Sequence, residues 1–118
     1  MDVKKFITDY YHALINPQEV RKFMHPNLKI EWHSTRGYVE LTAGEVIQFA
    51  EQMQKNYASL RIEITHIVVE VSSVAVRYIN YVTTTDDAFE KPLTQSVAFW
   101  ELQDNKLYRG YVMSKSEL

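Results

Sequence analysis

Residues 93–114 read LTQSVAFWELQDNKLYRGYVMS and contain two strand-like segments with a turn between them. The segments span 93–102 and 106–114, and the dipeptide at 104–105, Asp-Asn, is a two-residue hairpin signal. Apolar residues occupy both alternating faces of the first segment, with Leu93, Val97 and Phe99 on one face and Ala98, Trp100 and Leu102 on the other. A strand with one face in water alternates apolar and polar residues. The pattern therefore predicts a sheet that is covered on both faces.

Two more strands are predicted upstream of this hairpin, at residues 60–71 and 73–85, which are rich in Ile, Val, Thr and Tyr. The turn between them is expected at residues 72–73. Within 60–71 the apolar positions change face near residues 65–66, and such a phase shift indicates a β-bulge. The second half of the chain therefore predicts four long antiparallel strands.

Three helices are predicted in the first half of the chain. Residues 2–15 carry apolar side chains at helical spacing, and residues 17–24 follow as a short helix. The third helix opens at Thr42, and Glu45 lies three residues later, which is the spacing of a capping box. Two short strands, 28–34 and 38–40, are predicted between the second and third helices.

The composition bounds the class of protein. The chain has 118 residues, which fits a single domain over 1–118, and a formal net charge of −2, which argues against a nucleic-acid-binding protein. It contains no cysteine, which removes disulfides and thiolate chemistry. Neither a signal peptide nor an apolar run of roughly 20 residues is present, so we expect a cytoplasmic protein without a membrane segment.

The order of these elements resembles that of SnoaL-like proteins in the nuclear transport factor 2-like superfamily. The local sequences of residues 23–33, 44–49 and 99–107 also resemble theirs. The resemblance implies an α+β, cystatin-like cone, in which a curved antiparallel sheet wraps around three N-terminal helices and encloses a cavity. Many members dimerise through the sheet. Members include isomerases, dehydratases, cyclases and adaptors, so the fold does not name the reaction.

The second apolar face of the sheet predicts a partner. Three helices cannot cover both faces of the sheet in so short a chain. A second copy of the chain would cover the face that the helices leave open, so we expect a homodimer through the sheet. The alternative is a sheet whose outer face is wet and carries scattered apolar residues.

Tyr11 is a candidate catalytic residue by the same resemblance. Steroid isomerases of the superfamily carry a tyrosine on the first helix that donates to a developing enolate, and Tyr11 matches that position. The position of their aspartate base is Trp32 here, and residues 96–98 hold no acid where a second carboxyl would lie. Isomerisation of the steroid type is therefore not expected.

His33 and His66 are the candidate replacement bases, because an unperturbed histidine has a pKa near 6.5 and suits proton transfer at neutral pH. Strict alternation places His33 on the face opposite Trp32, so only one of the two can face the cavity unless a bulge intervenes. His33 is otherwise a polar or interface residue. His66 lies at the predicted bulge, and bulges re-aim side chains near sites. Tyr78 is an alternative donor to Tyr11.

An aromatic-rich cavity is the remaining expectation. Its predicted lining consists of large apolar residues: Trp32, Phe49, Met53, Tyr78, Phe99 and Tyr111. Such walls suit a small, largely apolar molecule, and any chemistry would be proton transfer of the isomerase, cyclase or dehydratase type without a cofactor. No metal site is expected, since the four histidines show no ligand spacing. The alternative is a filled cone that serves as a non-catalytic dimeric interaction or adaptor module.

Overall fold

The computed structural model describes residues 1–17 and 19–117. One six-stranded sheet with two α-helices and a 3₁₀ helix makes up the fold. The elements are α1 (Val3–Ala13), the 3₁₀ helix (Val20–Phe23), β1 (Met24–Ser34), β2 (Gly37–Thr42), α2 (Ala43–Asn56), β3 (Ser59–Glu70), β4 (Ser73–Thr83), β5 (Lys91–Gln103) and β6 (Lys106–Ser116). The predicted α+β class and the four long C-terminal strands are therefore present.

Both α-helices begin where side chains satisfy their free backbone N–H groups. The carboxylate of Asp2 accepts from the N–H of Lys5 at 3.1 Å. The predicted capping box is present at α2: the Thr42 hydroxyl accepts from the N–H of Glu45 at 3.3 Å, and the Glu45 carboxylate accepts from the N–H of Thr42 at 3.0 Å.

The prediction of a helix at 17–24, the second of the three expected helices, is not confirmed. A single 3₁₀ turn, Val20–Phe23, occupies part of this range, and residue 18 lies outside the described residues. Met24 is already extended (φ −104°, ψ 130°) and pairs with Leu107 of β6. The chain therefore enters β1 four residues before the predicted start of that strand, which leaves room for only one tight turn.

The strand order is β2-β1-β6-β5-β4-β3, and the sheet is curved and does not close. All neighbouring strands are antiparallel except β1 and β6, which are parallel. The expectation of a wholly antiparallel sheet was therefore wrong for this pair. The predicted hairpin between β5 and β6 turns at Asp104 and Asn105, which both have positive φ (55° and 59°), as a primed two-residue turn requires. The register of β3 shifts between Ile64 and His66, at the position of the predicted bulge.

The hydrophobic core lies between the concave face of the sheet and the helices. Ile7, Tyr10 and Tyr11 of α1 are almost fully buried and face Val74, Val76 and Trp100 from the sheet. The convex face carries no helix and is exposed along β5 and β6. Within the described residues, no helix combines the length and the apolar character that crossing a bilayer would need.

Candidate functional site

The concave side of the sheet and the two α-helices enclose a cavity of about 460 Å³. Side chains from α1, α2 and all six strands form its wall. Buried lining residues such as Ile30, Val46 and Trp100 mark its closed part. Exposed lining residues mark its open end, where the β1–β2 turn, the C-terminal part of α2 and the start of β3 meet. The cone is therefore hollow and opens on one side.

Four of the six predicted lining residues lie together on this wall, and the catalytic candidate Tyr11 lies beside them. The four are Trp32, Phe49, Met53 and Tyr78. The rings of Trp32 and Phe49 meet edge to face with their centroids 5.2 Å apart, and the rings of Tyr11 and Tyr78 lie 4.5 Å apart. The aromatic wall thus joins residues from α1, β1, α2 and β4.

The prediction that Phe99 and Tyr111 line the cavity is wrong. The two residues are opposite each other in the β5–β6 pair, on the convex face, and are 43% and 40% exposed. Their neighbours Trp100 and Val112 point inward and line the cavity. Because side chains alternate along a strand, an inward Trp100 requires an outward Phe99.

His33 and His66 also lie away from the cavity. Trp32 points inward, so His33 points outward, where its ring stacks on Tyr38 with centroids 4.7 Å apart. The bulge leaves His66 exposed on the convex side, with its Nδ1 atom 2.9 Å from the Thr65 hydroxyl. Neither imidazole can therefore exchange a proton with a molecule inside the cavity of the same subunit.

The closed part of the cavity holds a chain of hydrogen-bonded hydroxyls. The indole N–H of Trp100 donates to the Tyr11 hydroxyl at 3.0 Å. An indole nitrogen can only donate, so the Tyr11 oxygen accepts this bond and its own proton is free to donate onward. The Tyr11 hydroxyl interacts with that of Tyr78, and Ser96, the residue directly opposite Tyr78 in the sheet, also interacts with the Tyr78 hydroxyl.

The hydroxyls of this group are available to a cavity molecule, because Tyr11, Tyr78 and Ser96 all line the cavity. Burial raises the pKa of both Tyr11 and Tyr78 above the usual value for a phenol, so both stay protonated at neutral pH. Tyr78 is therefore a neutral hydroxyl of the cavity wall that can donate a hydrogen bond to a bound molecule.

Two further polar pairs lie on the wall. The indole N–H of Trp32 donates to the hydroxyl of Ser114 at 2.8 Å. The side-chain amide of Asn80 donates to the hydroxyl of Thr94 at 2.7 Å. These pairs are neutral and already hydrogen-bonded, so they add polarity to the wall without adding charge.

The wall carries no side chain that acts as a base near neutral pH. Among residues 1–17 and 19–117, the lining includes no His, Asp or Glu, and its charged members are Arg36 and Arg61. A guanidinium stays protonated in proteins. The arrangement can donate hydrogen bonds to a bound molecule and can stabilise negative charge on it, but no side chain is placed to abstract a proton.

Several wall residues were not predicted from the sequence. Trp100 and Ser96 share a strand face with Ala98, and this alternation was visible, but it does not reveal which face is concave. Arg36 and Arg61 lie in a turn and at a strand start, where charged residues are ordinary. Only the folded chain brings them to one opening.

Solved structures match this architecture over nearly the whole chain. The crystal structure of IdmH, a candidate polyketide cyclase from Streptomyces antibioticus, is 14% identical with a TM-score of 0.81, covering 97% of this chain and 92% of that chain. AclR, a candidate hydroxylase from Streptomyces galilaeus, is 16% identical with a TM-score of 0.75, covering 97% of this chain and 79% of that one. An NTF2-like protein of unknown function from Cytophaga hutchinsonii is 14% identical with a TM-score of 0.65, covering 97% and 90%.

These matches show the fold. The chain has the nuclear transport factor 2-like α+β fold, so the resemblance predicted from the sequence is confirmed at that level. No protein-family model matches the chain, and no curated protein matches it by sequence. At identities this low, likeness of fold does not transfer a reaction.

Proposed function

We propose that this protein binds a small, planar, largely apolar molecule in its cavity. The single observation that carries the proposal is the combination of an aromatic wall with the buried, neutral hydroxyl of Tyr78 in a space of about 460 Å³. Binding sites for small molecules are mostly apolar with a few placed polar groups. A molecule that fits this wall presents flat faces to the rings and one oxygen to the phenol.

The ligand oxygen to which Tyr78 donates is a hydrogen-bond acceptor such as a carbonyl oxygen. The Tyr78 hydroxyl interacts with the hydroxyls of Tyr11 and Ser96, and successive hydroxyl bonds polarise one another in a buried group. The proton that Tyr78 donates is therefore a stronger donor than that of an isolated phenol. Fold likeness to proteins described as a candidate polyketide cyclase and a candidate hydroxylase also supports a small-molecule ligand.

A second candidate function is catalysis of the cyclase or isomerase type. The specific observation in its favour is the same donor chain, which is suited to holding an enolate oxygen as negative charge develops on it. The positions of His33 and His66 on the convex side argue against either as the base, so a proton would have to leave to water or to a group on the bound molecule. Binding without catalysis needs no such group and is the simpler reading.

We also propose that the protein pairs with a second copy through the convex face. Val97, Phe99, Tyr111 and Met113 form an apolar patch there, which we call the outer patch. Val97 lies opposite Met113, so the four side chains are contiguous across β5 and β6. Charged residues of both signs, including Glu31 and Arg77, border the patch. A two-fold axis would pack the outer patch of one subunit against the outer patch of the other, which is how isologous interfaces bury apolar surface.

The binding proposal is tested with 9-fluorenone and with fluorene, which has the same rings and no carbonyl. Both tryptophans of the chain line the cavity, so quenching of tryptophan fluorescence reports that the cavity is occupied. We expect fluorenone to bind about fivefold more tightly than fluorene, the size of one neutral hydrogen bond. The Tyr78→Phe variant should lose this preference while still binding fluorene.

Tyr108→Phe is the matched control, since Tyr108 is absent from the cavity wall and contacts Arg109. It should keep the preference for fluorenone. Failure of both compounds to quench the tryptophans would overturn the binding proposal. Equal affinities in the wild-type protein would overturn the role of Tyr78 alone.

A further inference from the structure

Two arginines and no carboxylate face the open end of the cavity, within the part of the chain that the structure describes. Arg36 lies in the two-residue turn between β1 and β2, and Arg61 lies near the start of β3. Both side chains are exposed, whereas the deep wall is neutral. The charge on the cavity lining is therefore positive and confined to the opening.

Arg61 is already neutralised. Its guanidinium donates to both carboxylate oxygens of Glu90, at 2.7 Å to one and 3.0 Å to the other. It also lies 4.2 Å from the centre of the Tyr81 ring and 3.8 Å from the Glu63 carboxylate. These contacts occupy the planar fork of the guanidinium, so few N–H donors of Arg61 remain available to a ligand.

Arg36 differs from Arg61 in having no ion-pair partner among the described residues, although its position is held firmly. The backbone N–H of Arg36 donates to the Ser34 hydroxyl at 3.2 Å, and that hydroxyl donates to the carbonyl of Gly37 at 3.3 Å. The neighbouring Thr35 hydroxyl accepts from the N–H of Ser116 at 3.0 Å, which ties the turn to the end of β6. A fixed turn thus presents an uncompensated guanidinium at the opening.

We infer that the ligand carries an anionic group, such as a carboxylate, which Arg36 holds at the opening while the apolar part of the molecule occupies the cavity. This inference rests on the proposed binding function and adds the charge and the orientation of the ligand. A guanidinium recognises a carboxylate with two parallel N–H···O bonds. The anionic group stays at the solvent-exposed end, which avoids the cost of burying a charge among the neutral hydroxyls inside.

The two ends of the cavity then recognise different chemistry. Tyr78 donates to a neutral oxygen in the closed part, and Arg36 pairs with a charged oxygen at the opening. A planar keto acid satisfies both, whereas a planar cation would meet Arg36 and be repelled. The described part of the lining carries no negative charge that would attract a cation.

The test compares 9-fluorenone-2-carboxylate with 9-fluorenone-2-carboxamide, which has nearly the same shape and no charge. We expect the full-length wild-type protein to bind the carboxylate about fivefold more tightly, as one partly exposed charge-assisted contact allows. Raising the salt concentration should weaken the carboxylate complex and leave the carboxamide complex unchanged, because only the former depends on an ion pair.

Three variants locate the effect. Arg36→Gln should bind both compounds equally, at the affinity that the wild-type protein has for the carboxamide. Arg36→Lys should keep part of the preference, since the charge remains while the planar fork is lost. Arg21→Gln is the matched control, because Arg21 is an exposed cation of the 3₁₀ helix that does not line the cavity. It should behave as the wild type.

The outcomes separate the two proposals. Equal binding of the carboxylate and the carboxamide by the wild-type protein overturns the inference about Arg36 and leaves cavity binding intact. A preference that survives in Arg36→Gln overturns it as well. Failure of both compounds to quench the tryptophans overturns cavity binding and the inference together.

Discussion

The two faces of the β5–β6 hairpin have similar apolar content and opposite environments. On the concave face, Trp100 is 2% exposed and its neighbour Val112 is buried against the cavity. On the convex face, Val97 is 54% exposed and Met113 66% exposed. Helices cover one face and leave the other bare, although the residue types hardly differ. The comparison shows that the apolar residues of a strand face predict that the face is covered. They do not predict whether a helix or another subunit covers it.

Polar groups distinguish the two faces more clearly than apolar groups do. The concave face carries neutral hydroxyls, including that of Tyr11, which accepts from the Trp100 indole, and that of Tyr78 beside it. The convex face carries ionisable side chains such as His33, His66 and Glu31 in contact with water. Among the described residues, imidazoles and carboxylates are absent from the cavity lining, and burial disfavours the charged form of such groups. The three predictions below test this contrast.

Alkaline pH should destabilise the concave side most. Burial raises the pKa of Tyr10 and Tyr11, whereas the same phenols in the unfolded chain ionise near pH 10. Above pH 10 the folded chain therefore binds more protons than the unfolded chain, and the free energy of unfolding falls as pH rises. The two phenols should together cost about 3 kcal/mol at pH 11, from about 1.4 kcal/mol per group per pH unit.

Urea unfolding near pH 9 and pH 11, followed by circular dichroism, measures this loss. Tyr10→Phe should remove the share of one phenol, about 1.4 kcal/mol, which separates the tyrosines from the lysines that titrate in the same range. An equal free energy of unfolding at both pH values would show that the phenols are not held neutral by burial.

The Gly110→Ala substitution should have the second-largest effect, because it disrupts packing on the concave face and lowers the stability of the protein. Gly110 lies opposite Trp100 in the β5–β6 pair, and a Cβ atom there would overlap the six-membered part of the indole ring. Displacing the ring also disturbs its bond to the Tyr11 hydroxyl. We expect a loss of about 2 kcal/mol in the free energy of unfolding, as is usual for overpacked cores.

Gly44→Ala provides the comparison, since a Cβ atom at Gly44, in α2, would meet no atom within 4 Å. It should leave stability unchanged or raise it slightly, because alanine favours a helix. If Gly110→Ala were as stable as Gly44→Ala, Trp100 would not be packed against the backbone of β6.

Met113→Lys should have the smallest effect on the fold and the clearest effect on assembly. Met113 is exposed in the single subunit, so its substitution should change the stability of that subunit by less than about 0.5 kcal/mol. A charge at the centre of the outer patch should nevertheless prevent two copies from pairing. Sedimentation velocity should show a dimer for the wild type and a monomer for the variant.

Gln54→Lys adds the same charge on α2, away from the sheet, and should remain dimeric. A monomeric wild-type protein at high micromolar concentration would refute pairing through the outer patch. A dimer that tolerates Met113→Lys would place the interface elsewhere.

The local elements were largely predictable because their signals are short-range. The capping box at Thr42, the turn at Asp104 and the bulge before His66 each depend on a few neighbouring residues, and each is present. The predicted helix at 17–24 is not confirmed, because pairing of Met24 with β6 overrode the helical pattern. That pairing joins residues far apart in the chain, which no local signal reports.

The candidate site was predictable only in part. Alternation correctly separates Trp32 from His33 and Phe99 from Trp100, yet the lining prediction chose correctly in the first pair and wrongly in the second. Alternation says that two neighbours differ and leaves open which one points inward. The donor chain was equally hidden, since Tyr11 and Trp100 are 89 residues apart.

The amino-acid sequence alone determined the periodicities, the caps, the turns and the presence of two apolar faces, because these follow from neighbouring residues. The tertiary structure decided which face is concave, which tyrosines line the cavity and which of the two lining arginines has no ion-pair partner among the described residues. Those outcomes depend on the curvature of the sheet and on contacts between distant strands. The curvature is the sum of small twists and bulges over six strands, so it forms only when the whole sheet is assembled.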